Sequence, residues 1–147
     1  MRQAVRAIVI RDDNLLVMKR NKFGDVYYTL IGGAIGPAEA PEQALVRELL
    51  EEAGMTVQAA GLVFIEEADP LYGTQQIFLC DGAQGDPVLS PNSEKYRISQ
   101  MGQNTYQSMW LPLSELPGVK FRSEALKQHI LSSLTKGFPP QPVTFRP

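Results

Sequence analysis

Apolar and polar positions follow two rhythms along this chain. β-Branched and aliphatic residues dominate 4–11 (AVRAIVIR) and 15–20 (LLVMKR), and Asp12, Asp13 and Asn14 separate the two runs. That arrangement predicts a hairpin. A third strand is expected over 26–31 (VYYTLI), running straight into Gly32 and Gly33. From Pro41 to Ala53 the rhythm turns helical: Pro41 suits a first helical position, Glu42 and Gln43 the first turn, and Gly54 the stop. Ala40 is a poor cap. Leu45, Val46, Leu49, Leu50 and Ala53 share one face at about 100° per residue. Glu48, Glu51 and Glu52 share another, so one side is expected to pack on a sheet and the other to present carboxylates.

Further strands are predicted over 56–68 and 74–82, and a last one over 108–113 (SMWLPL), followed by a turn at SELPG. Residues 83 to about 105 read as a long polar connection rich in Gly, Pro, Ser and Asn, a length that is often functional or mobile. A second amphipathic helix is expected over 123–136, capped by Ser123 and carrying His129 on its polar face. The prolines of 137–147 exclude helix and predict an extended surface tail. The order β-β-β-α-β-β-β-α predicts an α/β (α+β) fold, a mixed sheet between two helices in a single domain over 1–147.

Composition narrows the function classes. At 147 residues and 44% apolar content the chain can bury a proper core. A net charge of -2 lacks the footprint of a nucleic-acid binder. No apolar run approaches the roughly 18 residues of a membrane span, and the start is strand-like rather than signal-like. The one cysteine, Cys80, excludes an internal disulfide framework and a multi-cysteine zinc site; within QIFLC it reads as a small buried filler. A cytoplasmic protein is the expectation.

The stretch RELLEEAG, 47–54, holds the candidate chemistry. Carboxylates at a helix C-terminus oppose the backbone dipole and repel one another. No lysine lies within four positions of them, and Arg47 is the one cation nearby. A solvated acidic face is the ordinary reading of such residues. A bound Mg²⁺ or Mn²⁺ reverses the electrostatics, because hard cations take carboxylate oxygens and share their coordination with phosphates. The glycines of LIGGAIG, 30–36, supply an unobstructed backbone beside the helix.

GAIGPAEAPEQALVRELLEEAGM, Gly33 to Met55, resembles the Nudix box, Gly-x5-Glu-x7-Arg-Glu-U-x-Glu-Glu-x-Gly-U with U a bulky aliphatic residue. Gly33, Glu39, Arg47, Glu48, Leu49, Glu51, Glu52, Gly54 and Met55 fill every defined position. Resemblance to the Nudix (MutT-like) hydrolases implies an α/β/α sandwich. It also implies divalent-metal-dependent hydrolysis of a nucleoside diphosphate linked to another moiety, NDP-X, to NMP and phospho-X. Carried over by position, Glu48, Glu51 and Glu52 resemble the metal ligands, Glu52 foremost, with the Gly32 carbonyl as a further ligand. Arg47 resembles the arginine that orients a box glutamate, while Gly33 and Glu39 stand behind the ligands. Two departures occur. Many members read Pro-Gly-Gly and then Glu-x-Gly-Glu where this chain has Ile31-Gly32-Gly33 and Gly36-Pro37-Ala38-Glu39. Some carry a further glutamate before the last-strand tryptophan, where this chain has Met109 before Trp110.

Glu94, in the long polar segment, is the candidate additional acid, with Glu66 and Glu67 as rivals. Arg20 is the candidate phosphate contact, a surface charge being the alternative. Tyr28, with Phe23, Tyr27, Tyr72 and Tyr106, is a candidate to stack on a base, core packing being the alternative. A catalytically silent sensor of nucleotides or sugars and a diphosphate isomerase are the alternative functions; the isomerase would want a reactive cysteine. Expected partners are a nucleotide-type small molecule, no membrane and no nucleic-acid footprint, with a homodimer left open.

Overall fold

The computed structural model describes residues 2–68, 73–91 and 93–147. The first aliphatic run divides between two sheets. Strand β1 (Gln3–Ile8) stops before Val9, and β2 (Ile10–Arg11) pairs with the start of β3 (Asn14–Lys22). The expected hairpin is therefore only two residues deep. Its turn holds Asp12 and Asp13 at φ 49° and 61°, the left-handed pair that a two-residue hairpin requires and aspartate tolerates. The expected strand over 26–31 also breaks, at Leu30, into β4 (Asp25–Thr29) and β5 (Ile31–Ala34). Gly32 and Gly33, expected in a loop, are thus strand residues, in antiparallel register with Arg6 and Val5.

The remaining elements are α1 (Pro41–Ala53), β6 (Thr56–Glu67), β7 (Thr74–Gln84), α2 (Glu94–Ser99), β8 (Asn104–Pro112), α3 (Glu124–Lys136) and β9 (Val143–Phe145). A mixed sheet runs β5-β1-β7-β6-β9, and a second, antiparallel sheet gathers β2, β4 and β8 around β3. Two sheets thus replace the one expected, and the layering is α/β/α. Val5, Ala7, Leu16 and Met18 join Ala44, Leu45 and Leu49 of α1 in one core cluster. Ile8, Leu15 and Val17 join Leu126 and Ile130 of α3 in the other. Strands buried on both faces read as continuous apolar runs, which is why LLVM shows no alternation.

The polar stretch 83–105 holds more order than its composition suggests. Ser93 caps α2, its Oγ accepting from Tyr96 N at 3.0 Å. Leu89 is buried in the α1 core. Val88 N and Ser90 N donate to Ala53 O and Glu51 O at 2.8 and 3.1 Å, so the segment is tied to the C-terminal end of α1. The tail is extended as expected, but it does more than cover surface. β9 adds parallel to Phe64–Glu66 of β6, and Phe145 stands edge-on to Phe64 at 6.2 Å. His129, expected on an exposed polar face, is half-buried between these rings, 5.3 Å from Phe64 and 4.4 Å from Phe145. Cys80 is buried, and that burial, then Asp81, pushes its thiol up to about 12, so it stays protonated. Among the described residues no helix is long and apolar enough to cross a membrane.

One departure from the family pattern has a local consequence. Ala38, where many members carry glycine, sits at φ 58°. The left-handed region costs an L-residue roughly 1–2 kcal/mol, and glycine gives part of that back as unfolded-state entropy. Ala38→Gly is expected to raise stability by about 0.5–1 kcal/mol in urea melts; a loss would show that the Ala38 methyl is held by packing.

Candidate active site

α1 docks with its carboxylates inward. Ala44, Leu45, Glu48, Leu49, Glu52 and Ala53 are buried, whereas Val46 and Leu50 are 40% and 54% exposed. The expected division into an aliphatic packing face and a separate acidic face holds for Leu45, Leu49, Ala53 and Glu51 but fails for Val46, Leu50, Glu48 and Glu52. Glu52 falls near the middle of the buried arc, and only Glu51 of the three remains open to solvent. Gly33 makes room for this: a Cβ there would lie 2.6 Å from the Glu48 carboxylate carbon. Gly54 ends the helix as expected, at φ 61°, its N–H donating to Leu50 O at 3.0 Å. The poor cap at Ala40 is offset by Gln43, whose Oε1 accepts from Ala40 N at 2.8 Å.

Arg47 organises the acidic groups. Its Nε and Nη2 donate to Glu39 Oε2 and Oε1 at 2.8 and 3.0 Å, a bidentate pair, and Nη2 also donates to Ala34 O at 3.1 Å. Its Nη1 donates to Glu48 Oε1 at 3.0 Å and lies 3.5 Å from Glu51 Oε2. Gly36 N donates to Glu39 Oε1 at 2.8 Å. The Arg47 hydrogen bonds, then that of Gly36, bring the Glu39 carboxyl down to about 2. Because the folded value is depressed, this pair stabilises the fold fully above the ordinary carboxylate range and loses its effect as pH falls from about 4.5 to about 2. Arg47→Gln is expected to return Glu39 to the ordinary range, so that its carboxylate titrates near pH 4–5 by NMR. A Glu39 titration still near 2 in that variant would assign the depression to Gly36 instead.

Glu52 is held differently. It is 7% exposed, and its Oε2 is sealed from solvent. Lys95 Nζ lies 2.9 Å from that oxygen and is its one charged partner among the described residues. Burial raises the Glu52 pKa, with Lys95 opposing. Arg6 of β1 adds a second positive charge in this neighbourhood, with Nε donating to Gln75 Oε1 at 3.0 Å and Nη1 to Leu30 O at 3.2 Å.

A cleft of about 490 Å³ adjoins these groups, lined by Arg2, Arg6, Arg20, Lys95, Arg122 and Glu66 among others. Arg20 faces it as a stacked and hydrogen-bonded cation. Its guanidinium carbon is 3.7 Å from the Tyr106 ring centre, Nη1 donates to the Tyr27 hydroxyl at 3.2 Å, and Nη2 donates to Asn104 Oδ1 at 2.6 Å. Tyr27 and Tyr106 line the cleft, whereas Tyr28, one residue along β4, packs into the α3 core. Phe23 is 68% exposed at the β3–β4 turn, and Tyr72 lies outside the described residues. Glu94 is exposed in the first turn of α2, and it is its neighbour Lys95 that reaches the cradle. Of the rival acids, Glu66 is buried against the cleft and accepts from the Ser123 hydroxyl, while Glu67 lies 3.5 Å from Arg146. Sequence reasoning missed Lys95 and Arg6, because a lone lysine in a polar segment and an arginine within a strand carry no local signal.

Among the described residues no three carboxylate, imidazole or thiol groups stand together as a ready metal ligand set. Three observations nonetheless fit a hard divalent cation: the buried Oε2 of Glu52, met by nothing but one flexible lysine, the carboxylate oxygens of the donor set, and the Gly33 cradle that a Cβ would fill.

An α/β/α sandwich carries, at the end of one helix, glutamates that adjoin a cleft rich in arginine. Residues 1–132 match the NUDIX domain family, and the chain belongs to that family of hydrolases. It is 33% identical over 112 residues to the oxidized purine nucleoside triphosphate hydrolase of Danio rerio, covering 67% of this chain and 69% of that one. It is 28% identical to the NAD-capped RNA hydrolase NudC of Shigella dysenteriae over 76% of this chain, and it spans only 41% of that relative's length. A Nudix hydrolase structure from Nitrosomonas europaea superposes with a TM-score of 0.72 at 17% identity, covering 99% of this chain and 79% of the other.

Proposed function

We propose that this hydrolase cleaves the phosphoanhydride of a nucleoside diphosphate linked to a second group, NDP-X, with Mg²⁺ or Mn²⁺ held by Glu48, Glu51 and Glu52 and the Gly32 carbonyl. The observation that carries the reading is the junction at Lys95, where a cleft rich in arginine meets the buried Glu52 carboxylate. A bound divalent ion would neutralise phosphoryl oxygens and make a water more acidic. The chain's own groups do the rest. Arg47 holds Glu48 and Glu39 so that the carboxylates keep their orientation when the helix end is charged. Arg6, Arg20 and Arg122, which line the cleft, bring positive charge to the phosphate oxygens. Tyr27 and Tyr106 fix the Arg20 plane, against which a flat base can stack. Water oxygen forms the new bond to phosphorus, the bridging P–O bond breaks, and the products are NMP and phospho-X.

The two relatives are named for NAD-capped RNA and for oxidised purine nucleoside triphosphates; both substrates contain a phosphoanhydride, and that shared bond is the part of their chemistry proposed here. The test is a panel of nucleoside triphosphates, ADP-ribose, nucleotide sugars, dinucleoside polyphosphates and NAD-capped RNA, assayed with Mg²⁺ for NMP release. Tight binding without cleavage under any divalent ion would favour the sensor reading instead.

A further inference from the structure

Short helix α2 carries a cation into the carboxylate cradle. Lys95 Nζ lies 2.9 Å from Glu52 Oε2, and with the lysine in place that oxygen is sealed from solvent. Arg47 cannot take over this role, since it is committed to Glu39, Glu48 and Glu51. A hard ion such as Mg²⁺ needs its carboxylate oxygens at about 2.0–2.1 Å and tolerates no ammonium against the same atom. Access to Oε2 therefore requires a group to move. The long, flexible and 26% exposed side chain of Lys95 is the one built to do so. It has somewhere to go: Lys95 already lines the cleft beside Arg6 and Arg20, and the Tyr106 ring stands 5.5 Å from its Nζ.

Taking Glu52 as a metal ligand of the proposed hydrolase, we propose that Lys95 is a phosphate-binding residue released by the metal. It closes the metal-free site on Glu52, then turns into the cleft to meet the substrate phosphates when a divalent ion takes the carboxylate. Free metal then binds weakly by construction, and the ammonium withheld from Glu52 becomes available only once metal is present, which couples the two ligands.

The experiment is calorimetric titration of the full chain with Mn²⁺ alone, then of the Mn²⁺-saturated protein with methylenediphosphonate, a non-hydrolysable diphosphate. Lys95→Met is expected to bind Mn²⁺ about tenfold more tightly than wild type and methylenediphosphonate about tenfold more weakly. Lys95→Arg keeps the charge and is expected to bind Mn²⁺ as wild type does. Arg97→Gln removes a charge from the same helix and is expected to leave Mn²⁺ affinity unchanged, which separates a direct contact from the general field. Equal Mn²⁺ affinity in wild type and Lys95→Met, equal diphosphonate affinity, or equal tightening in Arg97→Gln overturns the proposal. Mn²⁺ binding that ignores Lys95 leaves the hydrolase reading standing, whereas no Mn²⁺ binding in either wild type or Lys95→Met removes the metal site itself.

Discussion

Glu52→Gln is expected to lower turnover on the order of 10³-fold or more while leaving the melting temperature at or above that of wild type. The two readouts move apart for one physical reason. Glu52 is buried, its Oε2 meets only the Lys95 ammonium, and burial disfavours its charge. A carboxylate kept in that setting is a cost to the fold, offset in part by Lys95, and the amide removes the charge at nearly constant volume. The charge is, however, what a divalent ion binds. Turnover close to wild type would sink the assignment of Glu52 as a ligand. A marked fall in melting temperature would show instead that the Glu52–Lys95 pair is mainly structural.

Gly32→Ala is expected to be severely damaging to the fold. Its Cβ would sit 1.8 Å from Val5 O and 2.8 Å from Val5 C, both backbone atoms of the neighbouring strand. No rotamer relieves such an overlap, so the β1–β5 ladder must open, and with it the approach of β5 to α1. A loss of more than about 4 kcal/mol, seen as unfolded or aggregated protein, is the expected outcome. Gly33→Ala makes a useful contrast. Its Cβ meets the Glu48 carboxylate at 2.6 Å, which is the far end of a side chain and able to rotate away. That variant should fold and lose activity, because Glu48 and its hydrogen bond from Arg47 are displaced. If both variants fold equally well, the backbone contact at Gly32 is not what fixes the strand pair.

Much of α1 was legible from local signals. Pro41 and Gly54 mark its ends, because one has no N–H to lose and the other adopts φ 61° freely. Gly33 to Met55 carries the resemblance to the Nudix box through residue types at fixed spacing. The hairpin at Asp12 and Asp13 was read correctly as a turn but given too much length, since nothing local records that the chain bends at Val9 to leave one sheet for the other. The order within 83–105 carries no local signal, because the short helix capped by Ser93 is tied to the end of α1 only through the burial of Leu89 and the backbone bonds of Val88 and Ser90.

The division at the site follows the same logic. Spacing at i, i+3 and i+4 by itself determined that Glu48, Glu51 and Glu52 would lie close together on one helix, because helical geometry is local. Which way they face was decided by tertiary structure. The buried arc of α1 takes Glu48 and Glu52 in with Leu45, Leu49 and Ala53, and Gly33, Arg6 and Lys95 bring space and positive charge to meet the two carboxylates. Adjacent residues on α2 settle the charge of the loop's contribution: Glu94 faces solvent, and Lys95, about 100° around the helix, reaches the cradle. A sequence records charges and their spacing along the chain; only packing brings a lysine from one segment against a glutamate from another.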